Sequence, residues 1–529
     1  MKTIKSIGLV LLLAGIGIFT ASLFLPSFSF DEQGVMASLS EKEITNLGAQ
    51  LTDELVGKEY SSSFEASAKI REVYTETNEA LKAAEKWDLV MWDGPHDFAA
   101  KVMRPAANGF PSQNRGLLLF LTFGLAVIGG LMYILPNVIL LGPPGIKNDH
   151  VFHQKATNRG WIGWIVFGWL VSFYVLLYFY PDFTLGWVFA ADPVSQFIKA
   201  QPGDRWFLYG LMYCTVMTVM AIRMFVKYRN NRYQIVRTAS VLFFQACFAF
   251  LIPEIMYRFN LPGTDFKNIW PLDYDFFFGW NLDTMLSNGT LGLFLLVWGI
   301  ILIIVAVPVF VYFFGKRWYC SWVCGCGGLA ETLGDPYRQL SDKSLKSWKI
   351  ERYLIHSVLV FAVFMTGVTL YTFFSGDSTV GLSGVFELDT YGVQKTYGFL
   401  IGSVFAGVIG TGFYPVMGSR VWCRFGCPLA AYLGFVQRFK SRFRITTNGG
   451  QCISCGNCST YCEMGIDVRW YAQRGQNIVR SSCVGCGICS AVCPRGVLKL
   501  ENGPEEGRIN DNPIIIGKEG IQLSPDVTN

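Results

Sequence analysis

Eight of the chain's fifteen cysteines fall in two copies of one pattern. Cys452, Cys455, Cys458 and Cys462 are echoed by Cys483, Cys486, Cys489 and Cys493, and both runs read C-x2-C-x2-C-x3-C. Thiolates are soft ligands suited to iron–sulfur clusters. A doubled run of this spacing binds two [4Fe–4S] groups, with three cysteines on one cluster and the fourth crossing to the other. On that rule Cys452, Cys455, Cys458 and Cys493 form one ligand set, and Cys483, Cys486, Cys489 and Cys462 form the second. Gly456 and Gly487 leave room for the chain to wrap and for amides to point at sulfur, and Pro494 stops the helix after the last ligand. The first run departs from the second at one point, carrying Glu463 where the second has Pro494. A disulfide framework would need an oxidising compartment. Structural zinc more often uses pairs of C-x2-C.

A second repeat lies upstream. Lys316-Arg317-Trp318-Tyr319-Cys320 leads to Cys324 and Cys326, and Ser419-Arg420-Val421-Trp422-Cys423 leads to Cys427-Pro428. Each copy is an apolar run, a basic residue, an aromatic residue and then C-x3-C. In a helix, positions i and i+4 face the same way, so each pair would present two sulfurs on one side. Three readings stay open: a further metal site or cluster held by Cys320, Cys324, Cys423 and Cys427 with Cys326 as an alternate ligand, a thiol redox or metal-handling pair, or small residues that allow close packing. Cys214 and Cys247 stand alone in apolar runs and read as packing residues.

The elements that must position these groups belong to a membrane. The chain is 51% apolar and 16% charged, against about 25% charged in soluble proteins. A spanning helix needs about 20 mostly apolar residues. Eight stretches qualify, near 4–25, 117–141, 161–180, 206–226, 238–257, 291–314, 353–374 and 397–416. The first follows Lys2 and Lys5 but is longer than a signal core and lacks a clean cleavage site, so it reads as a retained anchor. Basic residues sort by loop: Lys147, Lys155 and Arg159; Arg223 to Arg237; Lys316 to Arg352; Arg420 to Arg444. The alternate loops carry Asp182 and Asp192, then Asp265, Asp273, Asp275 and Asp283, then Asp377, Glu387 and Asp389. Positive residues favour the cytoplasmic side, so both termini are expected there, in a bacterial inner membrane. The net charge of +5 is small for 529 residues and gives no sign of a nucleic-acid partner.

The expected fold is a polytopic α-helical membrane protein of about eight spans with a C-terminal α+β domain holding two clusters, of the bacterial ferredoxin type. The divisions are an anchor at 1–25, an extracytoplasmic helical segment at 26–115, a seven-span domain at 116–444, the two-cluster domain at 445–500 and a tail at 501–529. In the outer segment, 40–87 reads as helix, with Ser40 as N-cap, Glu43 at capping-box spacing and Ile44, Leu47, Leu51 and Leu55 at helical intervals. It is either a cap over the membrane domain or a docking surface for a partner.

Beyond the cysteines, chemistry is sparse. The chain has four histidines, and no pair of them lies in the spans to bind a haem. His356 is alone at the start of the seventh span, and His150 and His153 lie in a basic loop. His356, Arg223 and Glu254 are ionisable residues in or near spans, which makes them candidates for a quinone or proton site; Glu254 could instead pair with Arg258. The string from Asp283 to Thr290 faintly resembles covalent flavin-phosphate threonine sites, or is a polar helix start.

Span–C-x3-C, span–C-x3-C-P and a doubled cluster run together resemble the NosR- and NapH-type membrane polyferredoxins of nitrous-oxide and periplasmic nitrate respiration, and the CcoG-type copper reductases of oxidase maturation. The resemblance covers about 291–500. It implies electron transfer between a quinol or cytoplasmic donor and a respiratory oxidoreductase partner, and it marks Cys320, Cys324, Cys423, Cys427 and the eight cysteines of the doubled run. Gly325 and Cys326 follow Cys324 where the family has Pro. The outer segment shows no flavin-domain motif, and the chain ends without the reductases' immunoglobulin-like tail. The rival functions are a metal reductase or assembly factor, and a scaffold subunit whose clusters are structural.

Overall fold

The computed structural model describes residues 2–140, 159–382, 386–448, 451–502, 515–517 and 520–522. Lys147, Lys155, His150, His153 and most of the 501–529 tail lie outside the described residues. Among the described residues, seven helices are long and apolar enough to cross a membrane: Lys2–Phe24, Arg115–Leu140, Trp161–Phe179, Arg205–Lys227, Arg232–Arg258, Gly289–Phe314 and Leu345–Ser375. The eighth expected span falls on helical backbone that runs through Thr390–Tyr397, Gly398–Ile409 and Gly410–Gly412. Lys395 and the glycines at 398, 402, 407, 410 and 412 dilute its apolarity, and it is not among the seven.

The described chain divides into two compact units. The first comprises 1–137, 172–219 and 253–263. Here the Lys2–Phe24 helix lies almost backbone to backbone on Arg115–Leu140: a Cβ on Gly8 would meet the Met132 Cβ at 2.7 Å, and one on Gly129 would meet the Leu12 nitrogen at 2.4 Å. Small residues permit this approach, and lipid offers no hydrophobic drive to replace it.

The 26–115 segment is not purely helical. Ser40 and Glu43 do form the expected capping box, and Leu47, Leu51 and Leu55 are fully buried. The helix expected over 40–87 nevertheless stops at Leu55 and resumes as Ser63–Ala83. Between them Gly57 adopts φ +75°, and Glu59–Tyr60 pairs antiparallel with Ser27–Ser29, which also pairs with Ala107–Asn108. This three-stranded sheet and the helices enclose a core that includes Phe28, Ile70, Tyr74 and Phe98.

Two carboxylates that the sequence presents only as loop charges anchor this unit. Asp182 is fully buried and meets His96 Nδ1 at 2.9 Å and the Ser67 hydroxyl. Asp192, 1% exposed, takes Arg104 at 2.6 Å, Arg115 at 2.9 Å and the Gly203 amide at 2.9 Å. Glu254 pairs with Lys199 at 3.5 Å rather than with Arg258, which caps the carbonyls of Phe197 and Ile198 instead.

The second unit comprises 138–171, 220–252 and 264–529. Its largest core runs from Val307 and Val311 through Cys320, Cys324, Cys423 and Cys427 to Cys458, Cys483 and Cys489. The C-terminal domain is framed by Phe443–Thr447 paired antiparallel with Leu498–Asn502. Short helices Asn457–Thr460 and Ile488–Ala491 follow Gly456 at φ +81° and Gly487 at φ +74°.

Removing one partner of a buried ion pair strands the other charge, at about 3–5 kcal/mol. Asp192→Ala should therefore lower the thermal midpoint of the first unit and speed tryptic cleavage within 26–115 in membranes. Asp192→Asn keeps an acceptor for Gly203 and should fall between the two.

Candidate iron–sulfur centres

The crossing of the last cysteine between runs is present in the tertiary structure. Cys452, Cys455, Cys458 and Cys493 line one small cavity, and Cys462, Cys483, Cys486 and Cys489 line another. The short helices of the two runs pack against each other, and the fourth cysteine of each, two residues past the end of its helix, lines the other run's cavity. Burial pushes the Cys458 thiol up to about 12 and Cys483 up to about 11, so without a bound cation these groups hold their protons. Backbone amides are aimed at the sulfurs: Ile466 N–H donates to Cys462 Sγ at 3.4 Å, and amides of Ser459 and Gly485 do the same for Cys458 and Cys483. Four converging thiols with amide donors and apolar walls are the donor set a thiolate-bound iron–sulfur group requires.

The two C-x3-C motifs share an architecture that differs from the single helix expected. Arg317–Cys320 ends as a turn of helix, the chain turns, and Cys324 sits in extended backbone as the N-cap of Gly325–Glu331. Trp422–Gly426 likewise gives way to Cys427, extended, as the N-cap of Pro428–Lys440. Each second cysteine therefore caps a new helix, and Cys427 Sγ accepts the Ala430 amide at 3.3 Å. All four cysteines are buried and close enough that each ionised form would disfavour the others. Cys326 hydrogen-bonds to Cys324, which draws the Cys324 thiol below its ordinary range and pushes Cys326 above it. A Cβ on Gly327 would collide with the Cys320 carbonyl, so glycine alone lets the new helix start this close to the first cysteine of the motif.

Around these motifs lies a buried charge network. Glu331 is held by Arg237, Arg338 and, at 2.8 Å, Arg420. Asp335 is held by Arg223, by Lys227 at 2.9 Å and by Arg338 at 2.9 Å. Glu463, the residue standing where the second run has Pro494, meets Arg338 at 2.7 Å and Arg420 at 2.9 Å. Arg420 also donates to the Cys320 carbonyl at 3.1 Å and to Cys423 Sγ at 3.6 Å. Burial alone would raise Asp335, but Lys227, Arg223 and Arg338 outweigh it and hold the carboxyl well below its usual range. Burial raises Glu463, and the neighbouring Glu331 adds to that effect against Arg338 and Arg420. Five cations thus face three carboxylates beside Cys486, whose sulfur lies within 4.8 Å of ligand atoms of Glu331 and Glu463.

A row of side chains grips the loop that carries Cys483 and Cys486. Gln437 donates to the carbonyls of Arg480 and Cys483 at 2.8 and 2.9 Å, Lys316 to Ser481 at 2.8 Å and Ser321 to Val484 at 2.7 Å. Tyr233 and Gln234 take the next two carbonyls, Gly485 at 2.8 Å and Cys486 at 2.9 Å. With these carbonyls taken by side chains, the Gly485 amide of the same loop bonds the Cys483 sulfur. None of these side chains carries a sequence signal for that role. Only Lys316 could have been singled out, as the basic residue that precedes the motif.

The other candidates are placed as follows. Arg223 is ion-paired with Asp335. His356 Nδ1 lies 2.6 Å from the Arg352 carbonyl. Cys214 and Cys247 are partly exposed. Thr284 back-bonds to Trp280 and Ser287 to Thr284 on an exposed helix.

Residues 297–344 and 398–446, which carry the two C-x3-C motifs, match a family described as a 4Fe-4S binding domain. Residues 451–498 match a 4Fe-4S dicluster domain. The matches support an iron–sulfur protein of the membrane. The chain is 30% identical over 161 residues to the Escherichia coli (strain K12) protein named "Putative electron transport protein YccM"; the match covers 29% of this chain and 43% of that relative. No solved structure matches the chain.

Glu463→Pro makes the first run resemble the second more closely. It should nonetheless destabilise the protein by about 3–5 kcal/mol, because Arg338 and Arg420 lose a buried carboxylate. The expected readout is iron lost during purification and faster proteolysis at 451–498, with Glu463→Gln intermediate. Pro tolerated at wild-type iron content would show that the network is dispensable.

Proposed function

We propose that the chain is a membrane electron carrier in which twelve cysteines hold three iron–sulfur groups. Cys452, Cys455, Cys458 and Cys493 would hold the first cluster, and Cys483, Cys486, Cys489 and Cys462 the second. Cys320, Cys324, Cys423 and Cys427 would hold a third, with Cys326 as an alternate ligand. The observation that carries the reading is the sorting of the eight C-terminal cysteines into two crossed quartets. The packing of the upstream cysteines into the same core extends it. The match of the C-x3-C segments to a 4Fe-4S binding domain, and the similarity to a relative named as a putative electron transport protein, support it further.

When bound, such groups supply one-electron redox chemistry. The protein's part is to fix their ligands, exclude water and set the surrounding charge. The cations around Glu331, Asp335 and Glu463 outnumber the carboxylates beside Cys486, which offsets thiolate charge and favours taking up an electron. The row of carbonyl-gripping side chains stiffens the Cys483–Cys486 loop, so little rearrangement accompanies a change of charge. The basic loops on one side of the spans support an inner-membrane protein with cytoplasmic termini, an eighth span at 397–416 and cytoplasmic redox centres. The donor would be a cytoplasmic reductant or a quinol, and the acceptor an oxidoreductase partner at the membrane.

A second reading, a copper or metal reductase or assembly factor, draws on one observation. The Cys324–Cys326 hydrogen bond leaves an extra thiol poised beside the third site. Copper binding that persists in a Cys320/Cys324/Cys326→Ser variant counts against it.

Iron and acid-labile sulfide should exceed about eight of each per chain, two clusters' worth. They should fall to about eight in Cys423→Ser/Cys427→Ser, with reduced-state EPR signals of the C-terminal pair retained. A wild-type count below about eight with no reduced-cluster signal overturns the proposal.

A further inference from the structure

A cavity of about 860 Å³ opens in the second unit between the Leu345–Ser375 and Pro428–Lys440 helices. Its walls are of two kinds. The polar part brings together Lys316, Arg352, Arg424, Arg438 and Arg480, with Glu351 as its one carboxylate. The apolar part is Val360, Phe361, Phe364, Phe435 and Phe439. All of these but Phe361 are among the large exposed hydrophobic side chains; Val360, Phe361 and Phe364 lie on the Leu345–Ser375 helix, and Phe435 and Phe439 on the Pro428–Lys440 helix.

The charge of this cavity is not balanced from within. Glu351 is taken by Arg424 Nε at 2.7 Å. Among the described residues no carboxylate pairs with Lys316, Arg352, Arg438 or Arg480. Lys316 is 1% exposed; its ammonium donates to the carbonyls of Ala430 and Ser481 and has the Cys320 and Cys483 thiols, but no carboxylate, as electrostatic neighbours. Arg480 lies over the Trp348 ring at 5.2 Å. Arg424 is 3% exposed, and its Nη2 has no hydrogen-bond partner. A buried cation without a counter-charge is costly, and a guanidinium edge left unpaired in a cavity wall fits an anionic oxygen.

We propose that this cavity binds an anionic phospholipid of the surrounding bilayer. Arg424, Lys316 and Arg480 would receive the phosphate, Arg352 and Arg438 would close the mouth, and the acyl chains would run along Val360, Phe361 and Phe364. Basic pockets between spanning helices suit such headgroups. Tyr353, 74% exposed at the rim, is an aromatic residue at the depth where headgroups meet the hydrocarbon. A quinone is the other amphiphile of this size; its carbonyl oxygens can accept hydrogen bonds from these side chains, but its neutral head brings no charge to offset cations that have no carboxylate partner. Cys423 also lines the cavity, so the lipid would seal the apolar core around the upstream cysteines from water. The inference does not depend on what those cysteines hold.

Native mass spectrometry of the full chain, delipidated in mild detergent, tests this with phosphatidylglycerol and phosphatidylcholine of identical acyl chains. Phosphatidylglycerol should be retained and phosphatidylcholine should not. Arg352→Gln/Arg438→Gln, at exposed positions that leave the Arg424–Glu351 pair intact, should weaken phosphatidylglycerol retention about tenfold or more. Arg424→Gln should abolish it, and circular dichroism and iron content report whether that variant folds. Equal retention of the two lipids, or retention unchanged in the double variant, overturns the proposal. So does displacement by inorganic phosphate alone at equal concentration, which would make the site one for a free anion. A co-purifying quinone lost in the same double variant also overturns it.

Discussion

The structure of the second unit depends on a set of charges that water does not reach. Glu331, Asp335 and Glu463 are each within 3% of full burial, and none is tolerable there alone. The network draws on three parts of the chain: Arg223, Lys227 and Arg237 on long apolar helices, Glu331, Asp335, Arg338 and Arg420 in the C-x3-C segments, and Glu463 in the cysteine-rich domain. Four of the five cations are arginines, whose planar fork serves two carboxylates at once; Arg338 meets all three acids. Any one element docked without the others would leave a bare charge. The membrane helices, the motif loops and the C-terminal domain must therefore come together as one assembly.

That constraint also brings the cysteines together. Arg420 lies three residues before Cys423 and touches its sulfur. Glu331 lies on the helix that Cys324 caps, and Glu463 follows Cys462 directly. Fixing the salt-bridge partners thus fixes both upstream motifs and the crossing cysteine of the first run. Hydrogen bonds from Lys316, Ser321, Gln437, Tyr233 and Gln234 then hold the loop of the second run. Charge and backbone donors around thiolate sites set cluster potentials, so the interactions that assemble the unit are also those that would tune it.

The first unit solves a different problem with related means. Its helices approach through glycines at 8, 15 and 129, and its sheet and helices close over an apolar core. Buried Asp182 and Asp192 collect the histidine and arginine side chains of the 26–115 segment. Acidic loop residues that serve topology in the sequence serve as anchors in the fold. The same residue type does both, because a carboxylate in water is cheap until a chain segment folds over it.

The grouping of the eight C-terminal cysteines was legible in the sequence, because a doubled C-x2-C-x2-C-x3-C run exchanges its fourth cysteine, and the two cavities sort the cysteines in the same way. The spans were legible because about 20 apolar residues have few other uses; the glycine-rich stretch at 397–416 was the one where composition and length disagreed. The capping box at Ser40 and Glu43 is local and was readable as such. What the sequence could not show was anything made across long separations. The 40–87 helix breaks because Glu59–Tyr60 finds a strand more than thirty residues earlier. The C-x3-C pairs are caps rather than helix faces because glycine at 327 and Pro428 let a second helix begin there. Glu463 looked like a flaw in a repeat and is a keystone only when Arg338 and Arg420 arrive beside it. Ligand type and spacing are properties of a short segment, so the sequence by itself determined them. Which charges meet, and which cysteines share a core, depends on segments distant in the chain becoming neighbours, and only the tertiary structure decided that.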